Sequence, residues 1–510
     1  MKRITALLLL ITLLLSGCTR PQGDGTLPPP SGGDRPGEVC IHEDENDDGI
    51  CDSCLVSVIT VIDFYNLNDL HGKMDDTDAQ PGIDELSSFL RAARESDEHA
   101  VFLSTGDTWQ GSSESNATSG LILTDWMNEL DFAAMALGNH EFDWGEGAIA
   151  ANAEAAEFPL LAINVFDSET RRRVDYAEAS VTVECGGVTV GIIGAIGDCY
   201  SSISPDKVEG VYFEVGYDLT ELVMDESERL REAGADVIVY LLHDGYGESV
   251  GAKQEISSQK LDSYYDIELS DGYVDLVFEG HSHQRYVLYD RHGVYHLQGG
   301  GDNRGITHAE LTVNTVTGTV GTRTAEGLGT SHYADHEDDP IIDELLEKYA
   351  DAISKNYEVL GQSSRYLSSN AIEDLVAKLY YQCGVEAWGE EYDIFLGGGY
   401  LSTRSPYDLE SGNVTYADLW ALLPFDNTIT LCSVKGSDLL RKFINTSNDN
   451  YHIYTELPTG IIDGNATYYI VTDSYTALYA PNRLKVIADL GEGLYARDLL
   501  AEYIRSGGLE

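Results

Sequence analysis

The chain has 510 residues, of which 87 are Asp or Glu and 31 are Lys or Arg, giving a formal net charge of −56 at pH 7. Single hydrophobic cores stop growing well short of that length, so two or three domains are expected, and a 43% hydrophobic content can fill them. The acidity excludes a nucleic-acid polymer as partner, because phosphate contacts need clustered Lys and Arg. It also means that any anionic small molecule must meet positive charge supplied locally.

In chain order, Lys2 and Arg3 precede the apolar run ALLLLITLLL (Ala6 to Leu15), which is too short to span a bilayer and reads as an export signal over residues 1–17. The next residues, LSGC (Leu15 to Cys18), resemble the lipobox of bacterial lipoproteins. That resemblance implies cleavage before Cys18, a diacyl anchor on its sulfur, and an extracytoplasmic protein tethered to the bacterial membrane. Thr19 to Val39 holds ten Pro or Gly among 21 residues, a tether composition that cannot pack a core. In CIHEDENDDGICDSC, residues 44–52 place Asp44, Asn46, Asp48, Gly49 and Asp52 at positions 1, 3, 5, 6 and 9 of a calcium loop. Position 12 is Leu55 instead of the usual Glu. Cys40, His42, Cys51 and Cys54 offer zinc ligands as an alternative, and outside the cytoplasm a disulfide is the plainer expectation. Calcium or a disulfide ranks above zinc. Cys185, Cys199, Cys383 and Cys432 are too scattered to suggest a framework.

From Ser57 onward, short β-branched runs alternate with helical patterns, which is the α/β signature. VITVIDFYNL leads into Asp69 and His71, HAVFL into Asp107, and FAAMAL into Asn139 and His140. DVIVYLL ends at His243, and VDLVFE runs into His281 and His283. Helices are expected over Ile83 to Arg94, Leu121 to Leu130 and Tyr217 to Gly234, with Glu226 interrupting the apolar stripe of the last. Five apolar strands thus end in metal-capable residues, at the place where open α/β sheets bind their ligands. Imidazole and carboxylate without thiolate suit Mn, Zn, Fe or Co better than an all-oxygen cage. Seven such residues fit two divalent transition-metal ions sharing one carboxylate, an arrangement suited to in-line displacement at phosphorus.

The segments NDLHG, STGD, GNHEFDWG, LLHDG and GHSH, in this order, resemble the calcineurin-like metallophosphoesterases, and more closely the bacterial 5′-nucleotidase/UDP-sugar hydrolase family. The resemblance implies a four-layer αββα sandwich over 57–335. It also implies one metal held by Asp69, His71, Asp107 and His283, and another by Asp107, Asn139, His243 and His281, with Asp107 as bridge. His140 becomes a transition-state stabiliser and leaving-group acid, oriented by Asp143, whose carboxylate also favours the charged ring. Glu141 receives no role.

A linker helix is expected over 336–360 and a smaller α/β domain over 361–510. Within the latter, VTYADLWALLPFDN resembles the C-terminal domain of the same nucleotidases. By that resemblance Phe425 and Tyr475 sandwich a nucleobase beside Asn427, a contact tolerant of base identity. Two departures stand out: Leu401 occupies the place of the family's arginine, leaving Arg404 as a displaced candidate, and the Gly-rich segment after Tyr475 is replaced by LYAP. The expected activity is release of phosphate from nucleoside 5′-monophosphates by a monomer. UDP-sugar pyrophosphohydrolase, 2′,3′-cyclic phosphodiesterase and SoxB-like thiosulfohydrolase are the enzymatic alternatives. A solute-binding lipoprotein is the rival class, but it has no use for metal-capable residues at every strand tip.

Overall fold

The computed structural model describes residues 42–74, 82–246, 254–255, 269–401, 408–446, 450–479, 484–491 and 493–509. Cys18, Cys40 and Arg404 lie outside them. Among the described residues no helix is long and apolar enough to cross a membrane.

Two mixed sheets face each other in the first domain. One is ordered Val320–Gly329, Gly305–Asn314, Ile59–Leu67, Val101–Ser104, Ala134–Ala136, Leu160–Leu161. The other runs Gln254–Glu255, Arg285–Tyr289, Tyr295–Gly299, Leu276–Glu279, Val237–His243, Val188–Ile196, Ser180–Cys185. Strand side chains alternate between faces, so Ile62 and Phe64 of Ile59–Leu67 both point inward. They pack with Leu103 and Ala136 against Ile192, Val239, Leu241 and Phe278 of the opposing sheet. Helices Ile83–Ser96 and Leu121–Glu129 cover the outside of the first sheet, where Leu86, Leu90 and Trp126 meet Phe102 and Met135. Helix Tyr217–Glu232 covers the second, burying Leu219, Val223 and Leu230 against Ile193, Ile238 and Val277. The layers are therefore helix, sheet, sheet, helix. Fully burying each such aliphatic side chain contributes about 1.5–3 kcal/mol. Glu226, which breaks the stripe of the last helix, is accommodated by a bidentate pair with Arg229 and a hydrogen bond from Ser180 Oγ.

The connection differs from the single helix expected over 336–360. It is broken into Ile341–Lys348, Ala350–Ile353 and a 3-10 turn at Ser354–Tyr357. Ile341, Ile342 and Leu345 belong to the core that contains Leu86 and Trp126, so the first piece serves as part of the first domain. Tyr349 and Lys348 both reach Asp125 at the break.

The second domain has a five-stranded sheet ordered Tyr451–Tyr454, Ile394–Tyr400, Thr467–Asp473, Ile429–Lys435, Lys485–Asp489, backed by helix Ser369–Trp388. The glycine run of Ile394–Tyr400 is a packing requirement. A Cβ on Gly397 would lie 2.2 Å from the Tyr381 nitrogen of that helix. One on Gly398, at φ +124°, would lie 2.1 Å from the His452 carbonyl of the neighbouring strand.

Candidate active site

Strands Ile59–Leu67, Val101–Ser104 and Ala134–Ala136 run parallel in one sheet, and Val237–His243 and Leu276–Glu279 run parallel in the other. Their carboxyl ends converge. Immediately past them the chain turns so sharply that Asp69, His71, Asp107, His281 and His283 all take left-handed backbone angles, with φ between 50° and 65°. For non-glycine residues that conformation is unfavourable by roughly 1–2 kcal/mol, and such strain concentrates where side-chain aim matters. Hydrogen bonds fix the loops: Asp69 N–H donates to the Gly106 carbonyl and His71 N–H to that of Asp107, each at 3.0 Å. Gly138 answers to the same crowding, since a Cβ there would sit 2.3 Å from Asp107 Oδ1 and 2.7 Å from His243 Cε1.

All seven candidate ligand side chains meet at this point. The ligand atoms of Asp69, His71 and His283 lie within 4.8 Å of one another, as do those of Asp69, Asp107 and His243. His243 Nδ1 is 2.6 Å from the Thr105 carbonyl and His71 Nδ1 is 3.0 Å from that of Gln110. A proton held on each Nδ1 by these carbonyls leaves Nε2 as the electron-pair donor facing inward. Asn139 Oδ1 lies 2.9 Å from His281 Nδ1 and 3.2 Å from His243 Nε2. Among the described residues, Asp107 Oδ2 is buried without a hydrogen-bond partner, 3.2 Å from His243 Nε2 and 3.8 Å from His71 Nε2. An orphaned carboxylate oxygen facing two imidazole nitrogens fits a cation-binding pocket. Cys199 also approaches His243 and His281. However, its thiol donates to the His243 carbonyl at 2.9 Å, and burial pushes it well above its usual range, which marks it as a neutral hydrogen-bond donor.

The electrostatics of the cluster are sharply divided. Burial pushes the Asp69 carboxyl up. Burial acts the same way on Asp107, but the neighbouring His243 and His140 more than offset it and hold that carboxyl well below the usual range. Burial lowers both His243 and His281. Asp107 reverses the effect at His243, which rises to about 10, whereas His281, repelled by His243, falls to about 4.

His140 sits beside the cluster. Its backbone N–H donates to Asp107 Oδ1 at 2.8 Å, and its Nδ1 is 2.9 Å from Asp143 Oδ2, so both ends of the residue are oriented. Glu141, which sequence reasoning left without a role, pins the two loops together. Its fully buried carboxylate accepts the amides of Gly138 (2.7 Å), Asp107 (2.8 Å), Thr108 (2.9 Å) and Trp109 (3.4 Å). Burial and the Asp107 charge raise it to about 7. An acid after Asn-His was visible in the sequence, but its four backbone partners were not.

A cavity of about 270 Å³ opens from this cluster and is lined by both domains. Asn139, His140, Asp143 and His281 form one wall, and Phe425, Asn427, Tyr475 and Tyr400 form the facing one. The His140 and Phe425 rings stack directly, with centroids 5.9 Å apart and planes at 25°. Leu401 lines the same cavity, so the position expected to carry an arginine presents an apolar side chain. Among the described residues Lys207 is the one Lys or Arg that lines the cavity, and sequence reasoning overlooked it. Buried Arg497 was overlooked too. Its guanidinium lies 3.5 Å over the Trp420 ring, donates to the Phe425 carbonyl at 3.1 Å and pairs with Asp426.

Residues 62–285 match the calcineurin-like phosphoesterases, and residues 352–460 match the 5′-nucleotidase C-terminal domain. The chain thus carries a calcineurin-like phosphoesterase domain followed by a 5′-nucleotidase C-terminal domain. It is 26% identical to an apyrase of Tabanus yao over 427 residues, covering 75% of this chain and 72% of the relative. A 5′-nucleotidase of Diplobatis ommata is 24% identical over 430 residues, covering 74% and 70%. The crystal structure of a 5′-nucleotidase precursor from Thermus thermophilus shares the two-domain fold, with a TM-score of 0.63 at 20% identity over 88% of this chain and 96% of that one. The phosphoesterase is a metal-dependent phosphoric ester hydrolase, and its fold implies divalent ions in the Asp/His cluster.

Proposed function

We propose that this phosphoesterase releases phosphate from nucleoside 5′-monophosphates outside the cytoplasmic membrane, to which lipid on Cys18 tethers it. The observation that carries the nucleotide reading is the shared cavity, where an aromatic wall of Phe425, Tyr475 and Tyr400 faces His140 and the metal-capable cluster. The names of the apyrase and nucleotidase relatives support the same substrate class. The lipobox resemblance supports the anchor.

Asp69, His71, Asp107 and His283 would hold one divalent ion, and Asp107, Asn139, His243 and His281 the other, with Mn, Zn, Fe or Co suited to this donor set. Bound there, the ions supply Lewis acidity toward the phosphoryl group. The protein's own groups do the rest. Asp143 fixes the His140 ring through Nδ1, leaving Nε2 to hold a proton toward the leaving oxygen. The backbone N–H of His140 keeps Asp107 in register, and Glu141 holds the Asp107 and Gly138 loops at fixed separation. On the facing wall, Phe425 and Tyr475 offer flat surfaces to a base, and Asn427 offers an amide for its edge.

Turnover of AMP, UDP-glucose, 2′,3′-cyclic AMP and p-nitrophenyl phosphate by the metal-loaded protein tests the reading. AMP should be the best of the four. Good activity on another ester with none on any nucleotide would remove the nucleotidase assignment and leave the hydrolase. Cys18→Ser should release the protein or block its processing, and unchanged lipid labelling in that variant would refute the anchor.

A further inference from the structure

Residues 42–58, which precede the first sheet strand, fold onto the phosphoesterase domain as a compact knuckle. Asp44 is buried, and the Asn314 amide donates to its Oδ2 at 2.6 Å and to Asp47 Oδ1 at 2.8 Å. The hydroxyls of Thr317 and Thr319 add bonds to Asp47 at 2.8 and 3.0 Å. All three partners lie at the turn between Gly305–Asn314 and Val320–Gly329. Within the knuckle, Cys51 N–H donates to the Val56 carbonyl at 2.8 Å, and Ile50 bridges Ser57.

We propose that His42, Cys51 and Cys54 form a zinc site that locks this knuckle closed. Their ligand atoms lie within 4.8 Å of one another, well away from the catalytic cluster in the chain. A tetrahedral ion with Zn–S of about 2.3 Å and Zn–N of about 2.0 Å holds its sulfur and nitrogen ligands about 3.5 Å apart. His42 Nδ1 and Cys54 Sγ are 3.4 Å apart. The Cys54 amide donates to Cys51 Sγ at 3.5 Å, a bond that favours the thiolate a metal requires. Cys51 and Cys54 are not joined to each other, and a disulfide to Cys40 falls outside the described residues. The calcium alternative meets a different difficulty. Asp44 Oδ1 and Oδ2 accept the amides of Asp48 and Gly49, Asp48 Oδ1 accepts that of Ile50, and Asp52 Oδ2 accepts that of Glu45. The carboxylates thus shape the loop, while Leu55, in place of the bidentate Glu, is 76% exposed.

The three donors leave one tetrahedral position for a further ligand. On binding, each thiol gives its proton to solvent as its Zn–S bond forms. The ion then joins His42, where the chain enters the domain, to the Cys51–Cys54 turn. Its role is mechanical: it fixes the point from which the tether departs.

The test uses the full chain stripped with chelator and reloaded. Cobalt should give a near-ultraviolet thiolate-to-metal charge-transfer band, which the proposed catalytic ligands, all oxygen or imidazole donors, cannot produce. Cys51→Ser/Cys54→Ser should lose that band and one equivalent of zinc while keeping kcat on p-nitrophenyl phosphate. His42→Ala, at an exposed position, should weaken zinc at this site by more than the roughly 10- to 100-fold that loss of an outer-shell partner costs, which covers the case in which the double variant does not fold. A band that persists in the double variant would point to Cys199 and overturn the proposal. So would absence of the band in the parent, or a Cys51–Cys54 disulfide found by mass in the native protein. Because activity at the other site is read separately, failure here leaves the nucleotidase reading standing, and the converse holds.

Discussion

Truncating Phe425 to Ala separates recognition from chemistry, because the ring has two neighbours with different consequences. On one side it stacks on His140, and an aromatic pair of this kind contributes about 0.5–1.5 kcal/mol beyond its buried area. Losing that contact loosens His140 for every substrate, lowering kcat/KM about two- to twelvefold. On the other side the ring faces the cavity, where stacking on a base contributes about 1–3 kcal/mol. AMP should therefore suffer a further loss of about five- to 150-fold, expressed in KM, that p-nitrophenyl phosphate escapes. The main chain should stay in place, since Arg497 binds the Phe425 carbonyl and Asp426 independently of the ring. Steady-state kinetics on both substrates read the two losses separately. Equal losses on AMP and p-nitrophenyl phosphate would refute base stacking, and no common loss would refute the packing role toward His140.

Asp107→Asn should remove both metal equivalents and essentially all phosphatase activity, because Asp107 Oδ2 faces His71 and His243 together; elemental analysis of the purified variant checks this. His140→Ala should keep its metal content while kcat falls about 10²–10⁴-fold, and a parallel loss of metal would make His140 a ligand. Asp473→Asn should stabilise the protein above about pH 6, because burial raises this carboxyl from 3.8 to about 6 in the folded state. The folded form binds the proton more tightly, so stability is fully present below the unfolded value and is lost as pH rises through the folded one, by at most about 3 kcal/mol. Thermal midpoints should show the variant's advantage at pH 7 and none at pH 4; an equal effect at both would refute the linkage.

The strand tips were legible because packing alone does not account for an apolar run followed at once by His, Asp or Asn. Ile59–Leu67, Val101–Ser104 and Val237–His243 all form near where their patterns place them. What stayed hidden depends on the third dimension. The linker helix expected over 336–360 rested on local pattern, which gave no sign of the contacts from Lys348 and Tyr349 to Asp125 where the helix is interrupted. Arg497 lies 72 residues beyond Phe425 in the chain, and no local signal links the two. Lys207 sits in a short 3-10 turn with nothing nearby to distinguish it from solvated lysines.

The left-handed backbone of five candidate ligands ties these observations together. Hydrophobic patterning determines where a strand ends, but it does not hold Asp69, His71 or Asp107 in a conformation that L-residues avoid. That task falls to polar groups buried behind them. Asn68 donates to Asp69 Oδ2 at 2.6 Å while accepting the Gly299 amide at 2.9 Å. Glu141 gathers four amides from the turns that carry Asp107 and Asn139. Each is a buried polar group whose partners must all be present, since a half-satisfied one would cost more than an apolar residue of similar size. The site's geometry therefore rests on residues one layer behind its ligands. Because that layer is backbone amides joined to Asn and Glu, hydrogen bonding within the fold offsets its burial, leaving ligand atoms of the front layer gathered close to one another.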